Sequence, residues 1–92
     1  MMTRSLNRAE QYLCALGHVM HDLRSAAGIS QQELAEHAGV HRTYVSDVER
    51  GARNLTLGTV IRLAMVLDVS PSRLFRMVED RTENAVVEAG SE

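Results

Sequence analysis

The stretch from Ser30 to Gly51 is punctuated so closely that only two short helices fit inside it. Ser30, followed three residues on by Glu33, is a capping box in which each side chain satisfies a backbone N–H at the other's position. Ile29 before the cap and Leu34 at the fourth helical position are placed as a hydrophobic staple. Gly39 offers a left-handed stop after Ala38, with Val40 folding back onto the core. A second helix over residues 41–50 is stopped in turn by Gly51. Two short helices joined by a glycine turn read as a helix-turn-helix or an αα-hairpin.

Helical periodicity continues on both sides of this pair. Leu6, Ala9, Leu13, Leu16, Met20, Leu23 and Ala27 recur every three or four residues, predicting an amphipathic helix over 5–27 that Gly28 ends. Beyond a loop at 52–55, Thr56 caps a helix over 57–68 with Leu57, Val60, Ile61, Ala64 and Leu67 as its inner stripe. Leu63, Met65 and Val66 widen that stripe until little of the helix is polar, which suits a domain centre or a subunit contact. Ser70 and Pro71 mark a fifth start, and Leu74, Phe75 and Val78 give the last helix one apolar side. With no strand signals, the class is all-α with five helices. The expected organisation is an N-terminal extension at 1–12, a helical domain at 13–78 and an acidic tail at 79–92, disordered or added to an interface.

Ninety-two residues make one domain and exclude a two-domain enzyme. A chain this short commits most of its apolar residues to its own core, leaving little for a walled pocket. It also carries no Ser–His–Asp set, carboxylate pair in a pocket or Gly-rich phosphate loop, so it is read as no enzyme. Tyr12, Tyr44 and Phe75 are its only aromatic residues, too few for a stacking platform on single strands. Cys14 cannot form an internal disulfide, which points to a reducing cytoplasm. No apolar run approaches the roughly 20 residues of a bilayer span, and the first residues lack the apolar core of a signal peptide, so no membrane role is expected.

The net charge of −2 is unevenly spread. Residues 79–92 hold Glu79, Asp80, Glu83, Glu88 and Glu92 against Arg81 alone, a net of −4, which leaves +2 on residues 1–78. Every basic residue is Arg, whose planar fork suits phosphate and guanine, although codon bias produces the same composition.

Turning about 100° per residue from Arg42 puts Tyr44, Val45 and Val48 near 250° on one side of the second short helix. Arg42, Thr43, Ser46, Asp47 and Arg50 fall between about 0° and 140° on the other. That outer face mixes donors, acceptors and a methyl group, which is what base edges in a major groove require. A plain solvated face remains the alternative on geometry alone.

The string SQQELAEHAGVHRTYVSDVERG, residues 30–51, resembles the helix-turn-helix of the Cro and phage-repressor family, the xenobiotic-response-element class. The similarity runs from about Leu16 to Phe75. Ala35 is small where the second helix crosses, Gly39 turns the chain, and Val45 and Val48 lock one helix onto the other. The longer string RTYVSDVERGARNLT, residues 42–56, is similar to controller proteins of bacterial restriction–modification systems. The resemblance implies a compact, lambda-repressor-like DNA-binding domain and a sequence-specific transcriptional regulator, without cofactor, from a bacterium or phage.

The resemblance also assigns residues. Arg24 near the end of the first helix would pair with Glu49, fixing the angle of the recognition helix. Arg42, Thr43, Ser46 and Asp47 would meet base edges, with Arg42 bidentate to a guanine. Gln31, His41, Tyr44, Arg50 and Arg53 would meet the backbone, Tyr44 through its hydroxyl unless it is simply core. Operators of such families pair two modules, implying a two-fold homodimer on a (pseudo)palindromic site. Val66, Leu74, Phe75 and Val78 are the candidate interface, unless they only close the monomer core. A toxin or RNA polymerase are further possible partners, because the main alternative is an antitoxin that represses its own operon. Cys14, His18 and His21 share a helix face with soft and imidazole ligands. Three ligands on consecutive turns of one helix rarely close a tetrahedron, so this is read as an ordinary exposed face and no metal site.

Overall fold

The computed structural model describes residues 7–52 and 55–90, with side chains as far as Glu83. Five helices follow one another: α1 (Arg8–Ala27), α2 (Gln31–Ala38), α3 (Arg42–Glu49), α4 (Leu57–Val66) and α5 (Pro71–Gly90). Four of the starts are set by polar side chains, the last by Ser70, whose hydroxyl accepts from the Arg73 amide at the head of α5. Asn7 and Glu10 form a capping box at α1, Ser30 and Glu33 form another at α2, and Thr56 accepts from the Thr59 amide at α4. The Asn7 box is a second instance of the signal already read at Ser30, three residues from cap to carboxylate.

The first four helices stop in the same way. The amides of Ile29, Val40, Ala52 and Val69 reach back five residues to the carbonyls of Arg24, Ala35, Asp47 and Ala64, at 3.0–3.3 Å. Each closure needs a left-handed residue just before it. Gly28, Gly39 and Gly51 supply three of them, and Asp68, at φ 59°, supplies the fourth. The sequence reading carried the fourth helix through Asp68; the helix ends at Val66, because Asp is one of the few side chains that tolerate the glycine conformation.

One core joins all five elements. Met20, Leu34, Val45, Val48, Leu63 and Leu74 are its largest fully buried side chains. The stripes run as predicted through Leu16, Met20, Val60 and Ala64, with two corrections. Leu63, not Leu57, joins Val60 and Ala64 in the core, and Leu57 is 61% exposed because the short helix turns its first residue to solvent. The segment expected as an acidic tail continues α5 as helix to Gly90; its Thr82 is buried and its Arg81 lies 3.4 Å from Asp22 of α1. The residues before Asn7 lie outside the described structure, as does part of the expected N-terminal extension. Among the described residues no helix is long and apolar enough to cross a membrane.

Candidate nucleic-acid interface

The second and third helices meet through the tight stop at Gly39, so α3 is presented on α2 with little freedom. Val45 and Val48 turn inward and are fully buried. Arg42, Thr43 and Arg50 stand exposed on the opposite side, with Ser46 and Asp47 half-buried between them. These are the residues that the helical angles placed together. His41 occupies the N-cap of α3, exposed and without a side-chain capping bond. An open concavity beside it is lined by Gly39, Val40, Thr43, Tyr44 and Asp47. Arg53 lies outside the described residues.

Glu49 is the anchor of this helix. Arg24 donates to its carboxylate twice, Nε to Oε2 at 2.6 Å and Nη2 to Oε1 at 3.0 Å, and a third bond runs from Arg24 Nη1 to the Ile29 carbonyl. Gln31 donates from Nε2 to Oε1 at 3.0 Å, and His21 Nδ1 lies 3.4 Å from the same oxygen. Burial alone would raise the Glu49 carboxyl pKa. The bonds from Arg24 and Gln31, with the Arg24 charge, outweigh it and hold the group below the ordinary carboxylate value. Arg24 is raised in return, first by its bond to Glu49, against the opposing effect of burial. The carboxylate is therefore ionised, bonded from α1 and α2, and turned away from the outer face.

Tyr44 ties the other flank. Its ring packs against the core, and its hydroxyl accepts from the Thr56 amide at 2.8 Å, at the cap of α4. Burial favours the neutral phenol, but the Thr56 bonds outweigh it and lower the pKa. Asp47 of α3 forms an ion pair with Arg50, the residue that caps the helix end.

Two expectations are corrected here. Leu74 and Val78 are 1% and 3% exposed, so the monomer core has used their surface and neither has area left for a second copy. Val66 is half-buried, while Phe75 remains 42% exposed. The Cys14–His21 face is also not an ordinary open one. Cys14 is half-buried and packs beside Gly51, and His21, itself exposed, reaches Glu49, so this face meets the end of α3; His18 stands in solvent. Among the described residues no group of three potential ligands could hold a metal ion.

Sequence reasoning missed Gly17. It sits on that same face, where α1 crosses the last turn of α3 at backbone distance. A glycine in mid-helix carries a generic signal of close approach, but nothing local says to what.

A small helical module with an anchored, outward-facing second helix defines a helix-turn-helix DNA-binding domain. The helix-turn-helix family pattern matches residues 20–74. The chain belongs to the helix-turn-helix family and is related to the controller proteins of restriction–modification systems. It is 44% identical over 59 residues to the control protein C.SmaI of Serratia marcescens, covering 64% of this chain and 70% of that one. The crystal structure of the restriction–modification controller C.AhdI from Aeromonas hydrophila superposes with a TM-score of 0.64 at 44% identity, covering 67% of this chain and 94% of that. The controller C.Esp1396I, as a tetramer with its natural 35-base-pair operator, gives a TM-score of 0.70 at 31% identity, over 77% of this chain and 93% of that. The protein is a sequence-specific DNA-binding regulator and, like its family, not an enzyme.

Proposed function

We propose that this chain regulates transcription as a homodimer, laying α3 of each copy into the major groove at the two halves of a (pseudo)palindromic operator. The observation that carries the reading is the state of the outer face. Arg42 and Thr43 stand exposed and Ser46 half-buried beside them on the outer side of a helix whose inner face is wholly committed, and among the described residues Arg42 has no ion-pair partner. An unpaired guanidinium at the head of such a helix matches guanine O6 and N7, with Thr43 and Ser46 suited to neighbouring base edges. His41, the α2 start at Ser30 and Gln31, and Arg53 would flank it at phosphates. The relationship to C.Esp1396I, solved on its own operator, supports an operator as the ligand.

Dimerisation is supported by an apolar ridge that the monomer leaves uncovered. Leu57, Ile61 and Met65 are spaced four apart along α4, with Leu57 and Met65 61% and 68% exposed. Val66 and Phe75 add to the apolar surface that a second copy would cover.

Binding-site selection from random duplexes tests the proposal. The expected result is a two-fold symmetric motif with half-site centres about one helical turn, ~34 Å, apart. Enrichment of single, unpaired half-sites would refute the dimer reading, and no enriched motif would refute the groove reading.

A further inference from the structure

Asp47 is the odd member of the outer face. A carboxylate there meets the phosphate-lined duplex with the wrong sign, yet it is 37% exposed and lies on the side of α3 that carries Arg42, Thr43 and Ser46. Its one partner is Arg50, a turn further along, through Oδ1 and Nη2. An exposed pair three residues apart adds little to stability, so fold energetics give no reason for it. The two arginines of this face are thus in different states. Arg42 is unpaired among the described residues, whereas Arg50 is held back along the helix by a neighbouring charge. A guanidinium neutralised by its own carboxylate gains little from a phosphate, because the pair presents no net positive charge to release counterions. Its remaining N–H donors, beside the free Asp47 Oδ2, form a donor–acceptor unit. Such a unit matches a guanine edge lying next to a cytosine amino group.

We propose that Asp47 is a specificity-determining positioning residue that holds Arg50 at base edges and off the phosphates. The inference rests on the groove reading above and goes beyond it, by moving Arg50 from backbone to base contact and by making the acidic residue, expected only as a base contact, the group that positions it.

The test measures affinity for the selected operator and for a scrambled duplex across a salt series. It compares the parent chain, Asp47→Asn, Arg50→Ala and the double variant, with thermal melting to verify folding. Asp47→Asn is expected to strengthen scrambled-duplex binding and to steepen the log–log salt slope by about 0.9 per copy, one new phosphate contact. The ratio of operator to scrambled affinity should fall at least five-fold. The added slope should vanish when Arg50→Ala is combined with it, because the released arginine is its source. A ratio within five-fold of the parent overturns the inference, as does added slope that survives in the double variant. A parent chain that prefers no duplex removes the groove reading itself, whereas a selective parent with an unaltered Asp47→Asn removes this inference alone.

Discussion

Gly17 of α1 and Glu49 of α3 meet main chain to main chain: a Cβ added to Gly17 would stand 2.6 Å from the Glu49 carbonyl oxygen. The Val48 carbonyl lies as near, at 2.7 Å. No rotamer can relieve such a contact, so one backbone must move. Gly17→Ala is expected to cost about 1–3 kcal/mol, the usual effect of added atoms in a full contact. Urea unfolding measures it, and an unchanged midpoint would mean that α1 and α3 slide apart freely.

The same crossing is tied by charge. Arg24 and Glu49 are 14% and 7% exposed at the side chain, so removing either leaves its partner charged and largely out of water. Arg24→Ala should lower stability by about 3 kcal/mol. Base preference in a selection experiment should hardly change, since neither group is on the outer face. A variant of full stability that no longer distinguishes duplexes would contradict this division.

Acid should loosen the same link. The Glu49 carboxyl titrates below its ordinary value in the folded chain, so in the acid range the unfolded chain binds more protons. The stabilisation is complete above the unfolded carboxylate pKa of about 4.3 and is lost as pH falls through the folded value. Glu49→Gln lacks this titration. The difference in Tm between parent and variant should therefore narrow as pH drops below about 4.3; a widening gap would be the wrong sign.

Arg42 should act on choice and not on folding. Arg42→Ala is expected to leave the melting curve unchanged and to relax preference at one base pair per half-site, by roughly 1–3 kcal/mol. Equal weakening on every duplex would assign Arg42 to phosphate.

Met65 offers a separate handle on assembly. At 68% exposure it supports nothing inside the monomer, so Met65→Lys should leave the helical content intact. A buried lysine pair across a two-fold axis should raise the dimer dissociation constant at least ten-fold, followed by sedimentation at several concentrations. An unaltered equilibrium would direct the search for the interface elsewhere.

Much of this architecture was legible because it is written in local chemistry. Ser30, Glu33, Gly28, Gly39 and Gly51 each act on backbone groups within a turn, and the structure uses all five as read. The outer face of α3 was equally readable, since a helix eight residues long that buries Val45 and Val48 has only one other side. The Arg24–Glu49 pair came from family resemblance, as no spacing rule connects side chains on α1 and α3. Errors arose where a residue acts across the fold or out of type. Asp68 takes a glycine conformation, so the α4 end lacked its usual marker. Leu57 and Leu63 look alike in composition, and only the docking of α4 decides which is covered. Leu74 and Val78 stayed open between interface and monomer core, because apolarity alone does not tell a core from a contact between copies; their burial decides for the core.

The grip on Glu49 leaves the rest of α3 with unusual liberty. Among the described residues, Arg42, Thr43 and Ser46 form no side-chain hydrogen bond or ion pair with α1 or α2, while the helix is clamped from behind by Arg24 and Gln31. Its vocabulary and its mounting are thus separate parts. On the proposed reading, duplex preference would drift by exchange of a few outward letters, with the scaffold indifferent to the message, and a chain of this size would be redirected to a new sequence without being refolded.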